Sequence, residues 1–221
     1  MDHESEDPVP PAPLDPTGLR AWFGEIDIYL FDQLLRGRIR PGASVLDAGC
    51  GGGRNLVYLL RAGFPVHAID RSPEAVDRVR ALAAELAPGL PPGNFRVAAV
   101  EAIPFTDASF EVVVSSAVLH FARDEEHFRG MLGEMWRVLR PGGLLFVRLA
   151  SLIGLEDRVE PVQGRRYRLP DGSERFLVDE AMLLALTAEL GATLADPIKT
   201  TNVQNLRCMT TWCLSRPGGI S

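Results

Sequence analysis

Short apolar segments alternate along this chain with longer segments in which apolar residues recur every three or four positions. Short apolar runs bounded by glycine or polar residues predict buried strands, and the three-to-four spacing predicts amphipathic helices. Because the two kinds of segment alternate, we expect right-handed crossovers and a parallel sheet covered on both faces. Strands are expected at residues 44–48, 65–70, 94–100, 110–116 and 144–149, and helices at 55–62, 72–86 and 124–139.

The N-terminal part of the chain has a different pattern. Residues 1–16 are rich in acids and prolines, which predicts a disordered tail. Residues 17–40 place aromatic and aliphatic side chains at helical spacing, which predicts a helix that ends before Pro41-Gly42.

Residues 150–178 interrupt the alternation of strands and helices. They carry five arginines around Pro170-Asp171-Gly172, a segment typical of a hairpin turn. We expect a single domain from residue 17 to residue 221, in which residues 150–178 are an inserted element on the substrate side. The remaining predicted elements are a helix at 179–190 and strands at 192–198 and 209–215.

Composition and charge narrow the class of partner. Of the 221 residues, 46% are hydrophobic and 24% are charged, which suits one substantial core, and the formal net charge is −6. Nucleic-acid binding depends on neutralising phosphates, so a negative chain without a dense lysine and arginine run disfavours that partner. We therefore expect a small-molecule partner.

Cysteine usage and hydropathy bear on the cellular compartment. The three cysteines lack metal-ligand spacing, so neither a disulfide framework nor a metal site is predicted. No apolar stretch approaches the length of a membrane span, and the N-terminus lacks a basic region followed by an apolar one. These features predict a soluble, cytoplasmic protein and indicate no particular oligomeric state.

A glycine-rich segment, Asp47-Ala48-Gly49-Cys50-Gly51-Gly52-Gly53, ends the first predicted strand. In an open α/β sheet, ligands bind at the carboxyl ends of strands, where glycines let the backbone approach them. Arg54 occupies the position of the third glycine in the dinucleotide fingerprint, and no Gly-Lys-Ser/Thr follows as in a P-loop. The carboxylate of Asp47 favours a ligand with an ammonium group over a pyrophosphate.

This segment resembles the first motif of class I S-adenosylmethionine-dependent methyltransferases. Asp70, which ends the second predicted strand, matches the acid of that family that binds both ribose hydroxyls. Residues 103–113 resemble the run into the fourth strand, and Arg140-Pro141-Gly142-Gly143 resembles the turn before the fifth, so the resemblance covers roughly residues 40–149. It implies a Rossmann-like α/β fold, a seven-stranded and mostly parallel sheet with helices on both faces and an antiparallel last strand.

The resemblance also implies which residues bind S-adenosylmethionine and its product S-adenosylhomocysteine. The family often has an acid after the third strand that receives the adenine amino group, and here that position falls near Ala99. We expect Glu101 to substitute for it and the backbone at Val100 to contact the ring edge. The expected cofactor-binding residues are Asp47, Gly49, Cys50, Gly51, Gly53, Asn55, Asp70, Arg71, Val100, Glu101 and Ser115.

Three residues are candidates for the acceptor side. His120 follows the fourth predicted strand at its carboxyl end and is the candidate catalytic residue, which could take a proton, orient the acceptor or only pack against the next helix. Tyr29 lies in the segment that, in related enzymes, often closes over the cofactor. Arg166 belongs to the inserted element, whose guanidinium groups either form a solvated face or suit a carboxylate or phosphate on the acceptor.

The predicted function is methyl transfer from S-adenosylmethionine to a small-molecule acceptor by in-line displacement. A non-catalytic sensor or interaction protein would keep the same loop without needing an acceptor pocket, and an NAD-dependent oxidoreductase is disfavoured by Arg54. Arg54-Asn55 and residues 207–212 are faintly similar to tellurite-resistance-type methyltransferases, which leaves a metalloid or thiol acceptor open.

Overall fold

A mixed β-sheet lies at the centre of the protein in the computed structural model, which describes residues 15–218. Within that range the helices are α1 (Pro16–Phe23), α2 (Ile28–Leu35), α3 (Val57–Arg61), α4 (Pro73–Leu86), α5 (Glu125–Val138) and α6 (Glu180–Glu189). The strands are β1 (Val45–Ala48), β2 (Val66–Asp70), β3 (Phe95–Val97), β4 (Phe110–Ser116), β5 (Leu139–Ala150), β6 (Glu160–Gln163), β7 (Arg166–Arg168), β8 (Glu174–Phe176), β9 (Thr193–Leu194), β10 (Lys199–Val203) and β11 (Arg207–Ser215).

The strand order of the main sheet is β10-β11-β5-β4-β1-β2-β3, and β9 also pairs with β11. Strands β1 to β5 run parallel to one another, whereas β11 is antiparallel to β5, β9 and β10. The predicted Rossmann-like α/β class, with a mostly parallel sheet and an antiparallel last strand, is therefore confirmed. The expected number of seven strands is wrong, because the sheet has eight. Since parallel strands end at the same edge, this topology brings the carboxyl ends of β1, β2 and β4 together.

The apolar core lies in two layers, one on each face of the sheet. Adjacent residues of β1 enter opposite layers: Val45 packs with Leu59 of α3 and Val76 of α4, whereas Leu46 packs with Met135 of α5. This follows from the two-residue repeat of a strand, and it explains why β1 is buried at every position.

The expectation of one helix over residues 17–40 is wrong, because the segment forms two helices. Gly24 ends α1 with a φ of 62°, and a Cβ at that position would lie 2.7 Å from Val57 Cγ2. Asp27 then starts α2 by accepting a hydrogen bond from the backbone N–H of Tyr29 at 3.0 Å. The break lets the chain turn over the end of the sheet.

The predicted tail over residues 1–16 lies outside the described residues except at its last two positions. Asp15 caps α1 by accepting a hydrogen bond from the backbone N–H of Gly18 at 2.7 Å, and Pro16 occupies the first helical turn. A proline is tolerated there because no intrahelical donor is needed.

The late strand expected over residues 192–198 is also wrong in its bounds. Only Thr193–Leu194 form β9, and a second segment, Lys199–Val203, forms β10 along the same partner strand. The intervening Asp196 is buried and accepts hydrogen bonds from Gln33 and Arg38 at 2.9 and 2.5 Å. Pro197, which follows it, has no N–H to donate to the ladder.

Residues 150–178 form a small antiparallel sheet of order β6-β7-β8 beside the end of β5. The hairpin turn expected at Pro170-Asp171-Gly172 joins β7 to β8. Leu169 and Leu177 pack with Ala150 in a separate apolar cluster, which fixes this element at the carboxyl edge of the main sheet.

A substitution of Gly49 tests how tightly the first turn packs. Gly49 has a φ of 88°, and an added Cβ would lie 2.5 Å from Val118 Cγ2. Gly49→Ala is expected to lower the free energy of unfolding in urea by about 2–4 kcal/mol, through backbone strain and overpacking. Gly133→Ala, in α5 and facing open space, is the control and should not destabilise. Equal stability of Gly49→Ala and wild type would contradict this packing.

Candidate active site

The glycine-rich loop leaves β1 at Ala48 and turns back against β2. The backbone N–H groups of Gly49 and Cys50 both donate to the carbonyl of Ile69, at 2.8 and 3.0 Å. Gly51 and Gly53 then have φ values of 52° and 80°, a region that favours glycine. At Gly51 an added Cβ would meet open space.

A cavity of about 420 Å³, called here the first cavity, lies at the carboxyl ends of β1, β2 and β4. Most of the residues expected to bind the cofactor line it, together with several that the sequence did not single out. Its lining is Asp47, Gly49, Cys50, Gly51, Gly52, Arg54, Asn55, Asp70, Arg71, Ala98, Ala99, Val100, Glu101, Ser116, Ala117, Val118, Phe121, His127 and Met131.

Two of the expected cofactor-binding residues are not part of this lining. Gly53 packs under α4, where an added Cβ would lie 3.1 Å from Val79 Cγ2, so its role in the described contacts is close packing. Ser115 is fully buried, and its neighbour Ser116 lines the cavity instead. The difference of one residue places the two side chains on opposite faces of β4.

Asp47 is a buried carboxylate at the base of the first cavity. Asp47 is 2% exposed. Among residues 15–218, no side-chain nitrogen of Lys, Arg or His lies within 4 Å of its carboxylate oxygens. Burial raises the pKa of Asp47 to about 7, an effect that the charge of Asp70 increases and that of Arg54 opposes. A carboxylate in this position favours a cationic ligand group, whose charge would offset the cost of burial.

Asp70 ends β2 and connects the loop to the start of α4. Its Oδ2 accepts from the backbone N–H of Gly51 and its Oδ1 from that of Ser72, both at 2.9 Å. Each carboxylate oxygen has a further lone pair to offer, so Asp70 can bind hydroxyl groups of a ligand while it holds the loop in place.

The end of the first cavity near Glu101 includes His127, which the sequence analysis missed. His127 Nδ1 accepts from the backbone N–H of Arg123 at 3.2 Å, which leaves its Nε2 as the protonated nitrogen. That nitrogen is 3.2 Å from Glu101 Oε1 but is not aligned for a hydrogen bond. The spacing of His127 and Met131 on one face of α5 was the available signal.

Cys50 also lines the first cavity. Burial raises the pKa of its thiol well above the ordinary value, with the charges of Asp47 and Asp70 adding to the effect. The thiol is therefore protonated at neutral pH, and packing is the role that its surroundings support.

A second cavity of about 550 Å³ adjoins the first and shares Arg54, Ser116 and Ala117 with it. Its walls come from the segment before α2, from β5, from the small sheet and from β11. The remaining lining residues are Ile26, Asp27, Ile28, His120, Arg148, Ala150, Leu169, Asp171, Ser173, Arg175, Arg207 and Met209.

Asp27, Arg148 and Arg54 line one side of the second cavity, and Arg54 also lines the first. Arg148 Nη1 donates to both carboxylate oxygens of Asp27, at 3.0 and 3.1 Å. Arg54 Nη2 lies 3.5 Å from Asp27 Oδ2 and donates to Ser116 Oγ at 2.9 Å. Arg54 is thus oriented across the opening that the two cavities share.

His120 faces the second cavity and is 6% exposed. Its Nδ1 accepts from the backbone N–H of Ala150 at 3.1 Å, so its Nε2 carries the hydrogen. Burial lowers the pKa of His120 to about 4, and the charges of Arg175 and Arg207 lower it further. At neutral pH the ring is uncharged and offers a donor to the cavity.

The other two acceptor-side candidates lie outside both linings. The hydroxyl of Tyr29 is 2.8 Å from Thr201 Oγ1, and its ring lies under the guanidinium of Arg148 at 4.8 Å. Arg166 donates to Glu174 at 3.3 Å on the small sheet. Tyr29 therefore supports a wall residue, whereas Arg175 and Arg207 supply the cavity with guanidinium groups.

Residues 15–218 contain no group of three or more His, Cys, Asp or Glu side chains placed to hold a metal ion. None of the helices in the same range combines the length and apolar character needed to cross a bilayer.

Several known proteins are similar in sequence to part of this chain. A family model described as a methyltransferase domain matches residues 46–147. An uncharacterized methyltransferase of Synechocystis is 33% identical over 106 residues, 48% of this chain and 46% of that protein. A malonyl-[acyl-carrier protein] O-methyltransferase of Erwinia billingiae is 36% identical over 146 residues, 65% of this chain and 52% of that protein. The chain thus spans about half the length of these relatives.

Among solved structures, the [4+2]-cyclase SpnF is similar with a TM-score of 0.66 at 20% identity, over 86% of this chain and 82% of that one. This likeness shows the fold alone. The matched residues 46–147 include the whole lining of the first cavity. The match supports the expectation that residues 46–147 form a class I S-adenosylmethionine-dependent methyltransferase domain.

Proposed function

We propose that this protein transfers the methyl group of S-adenosylmethionine to a small-molecule acceptor bound in the second cavity. The observation that carries the proposal is that the two cavities meet at Arg54, Ser116 and Ala117. A donor in one cavity and an acceptor in the other would place their reacting atoms at this opening. A sensor protein that only bound the cofactor would not need the second cavity.

The residues of the first cavity fit the parts of the cofactor. Asp47 would pair with the ammonium group of the methionine part, which supplies the cation that this buried carboxylate lacks. Asp70 would bind the ribose hydroxyls, and Val100, Glu101 and His127 would surround the adenine. The backbone at Gly51 leaves open space beside the ligand.

The cofactor supplies an already activated methyl group, so the chain's contribution is to align the reactants and exclude water. His120 cannot accept a proton at Nε2, since the bond from Ala150 to Nδ1 leaves Nε2 protonated. We therefore assign His120 to orienting the acceptor. The cytoplasmic location and the absence of a nucleic-acid partner remain predictions.

The names of the relatives support methyl transfer in general. The Erwinia billingiae relative is described as acting on a malonyl group carried by acyl-carrier protein, with methylation at oxygen. Because the alignment covers 52% of that protein, its acceptor is not transferred to this chain.

Calorimetry and a labelled-methyl assay test the proposal together. S-adenosylhomocysteine is expected to bind with one-to-one stoichiometry and NAD is not, while label from S-adenosylmethionine passes to a member of a small-molecule panel. Binding of NAD but not S-adenosylhomocysteine would overturn the proposal. Cofactor binding without turnover across a broad panel would favour the sensor.

Asp70→Ala is expected to weaken S-adenosylhomocysteine binding at least tenfold, about 1.4 kcal/mol, through lost charge-assisted hydrogen bonds. Isothermal titration calorimetry measures the change. Asp77→Ala is the control, because Asp77 lies on the exposed face of α4, outside the first cavity, and pairs with Arg80. Unchanged affinity in Asp70→Ala would remove Asp70 from the site.

The raised pKa of Asp47 predicts a pH-dependent affinity. The ammonium group binds the ionised carboxylate, so below pH 7 binding must release a proton from Asp47. The dissociation constant should therefore rise about tenfold for each unit by which the pH falls below 7. Titrations in buffers of different ionisation enthalpy measure the released proton. Affinity that does not vary between pH 5.5 and 7.5 in the wild type would contradict the ammonium assignment.

Asp47→Asn is the matched variant for this test. It should bind weakly at pH 7.5, and its affinity should vary little with pH. Burial raises the folded-state pKa of Asp47 above its unfolded value, so the stability conferred by the protonated carboxyl is lost as the pH rises toward 7. Asp47→Asn avoids that loss, and its melting temperature at pH 8 without ligand should not fall below that of the wild type.

A further inference from the structure

The second cavity carries more positive than negative side chains. Among the described residues its lining includes four guanidinium groups, from Arg54, Arg148, Arg175 and Arg207, against the two carboxylates of Asp27 and Asp171. The pairing within this set is uneven, because Asp27 is engaged by Arg148 at 3.0 Å and approached by Arg54 at 3.5 Å. That leaves Asp171 as the one carboxylate of the lining for the other two arginines.

Arg175 is the least compensated of these cations. No carboxylate oxygen lies within 4 Å of its guanidinium among residues 15–218. It is held by a hydrogen bond from Nη1 to the carbonyl of Glu174 at 2.7 Å and by its position 4.8 Å from the centre of the Phe121 ring. These contacts orient the group and leave its charge available to a ligand.

Arg207 is only weakly paired. Its Nη1 is 4.0 Å from Asp171 Oδ2, beyond hydrogen-bond distance. Asp171 directs its other oxygen to Ser173, from which it accepts a backbone bond at 2.9 Å and a hydroxyl bond at 2.5 Å. Arg207 therefore keeps free donors toward the cavity.

His120 adds a neutral donor beside the two arginines. Its Nδ1 is occupied by the backbone N–H of Ala150, so the Nε2–H is the group that a ligand can meet. The guanidinium groups of Arg175 and Arg207 and the neutral N–H of His120 line the same cavity. Together they suit a carboxylate, whose oxygens accept several hydrogen bonds at once.

We propose that the acceptor carries a carboxylate, which Arg175 and Arg207 bind in the second cavity while His120 donates a hydrogen bond from Nε2. This inference rests on the proposed function, since it names the acceptor class of the same site. The inference assigns acceptor binding to Arg175 and Arg207, which line the second cavity. Arg166, the arginine expected from the sequence, pairs with Glu174 outside that cavity. The carboxylate serves to position the acceptor, and methylation can take place at that group or at another atom.

The test uses malonate and succinate as probes, with malonamide and succinamide as neutral counterparts of the same shape. Each is titrated into the full-length protein by ligand-observed NMR, with and without saturating S-adenosylhomocysteine. We expect the acids to bind at least tenfold more tightly than the amides, because charge-assisted bonds to guanidinium are lost with the charge.

Arg175→Gln combined with Arg207→Gln should weaken acid binding at least tenfold. Arg158→Gln is the matched control, an exposed arginine of the same inserted segment that lines neither cavity, and should bind the acids as the wild type does. The inference would be overturned if the double variant bound the acids as tightly as the wild type does. It would also be overturned if the wild type bound the amides as tightly as the acids, bound inorganic phosphate more tightly than the acids, or bound no acid.

His120 has its own pair of variants. His120→Gln keeps an N–H donor near the position of Nε2, whereas His120→Leu removes it, so the Leu variant alone should bind malonate several-fold more weakly. An equal loss in both variants would overturn the donor role.

The two proposals can fail separately. S-adenosylhomocysteine affinity is measured in every variant and is expected to stay constant, because Arg175, Arg207 and His120 lie outside the first cavity. If the wild type binds no S-adenosylhomocysteine but still binds the acids, the methyltransferase proposal fails and the anion site stands. If it binds S-adenosylhomocysteine and no acid, only the acceptor class fails.

Discussion

The buried carboxylate of Asp27 is the contact on which the arrangement of both cavities depends. It accepts hydrogen bonds from Arg148 and from the backbone of Tyr29, and its own N–H donates to Asn55 Oδ1 at 2.9 Å. A buried ion pair offsets its desolvation only with such additional bonds, and removing one partner generally costs about 3–5 kcal/mol. Asp27 therefore holds together the segment before α2, the turn before α3 that contains Asn55, and β5.

The same arginine also fixes the opening between the cavities. While its side chain binds Asp27, the carbonyl of Arg148 accepts from the backbone N–H of Ala117 at 2.7 Å. Ala117 has a φ of 64°, a strained conformation for a residue with a Cβ, which persists only where the surroundings hold it. The ion pair of Asp27 with Arg148 and the strained backbone of Ala117 are thus linked through one hydrogen bond, beside the opening where the two reactants would meet.

Features that depend on neighbours in sequence could be predicted from the sequence, and those that depend on distant contacts could not. The glycine loop, the acid that ends β2 and the order of strands follow from local pattern. The break at Gly24 depends on its approach to Val57, and the interruption of the edge strand depends on Asp196 finding Gln33 and Arg38.

The candidate site divides in the same way. The lining of the first cavity was largely predictable because its residues follow the ends of neighbouring strands. Ser116 lines the cavity in place of the predicted Ser115, because a one-residue difference in a strand reverses the face. Tyr29 contacts Thr201, and Arg207 reaches the cavity from the last strand. No local pattern joins positions so far apart in the chain.

The division of the two linings has a consequence for how the protein can diversify. The matched domain at residues 46–147 contains the whole first cavity, whereas most of the second cavity comes from chain segments before and after it. Recombination or drift in these flanking segments can therefore remodel the acceptor pocket without altering the residues around the donor. In this architecture, selection can act on substrate range and on donor use as two nearly separate traits.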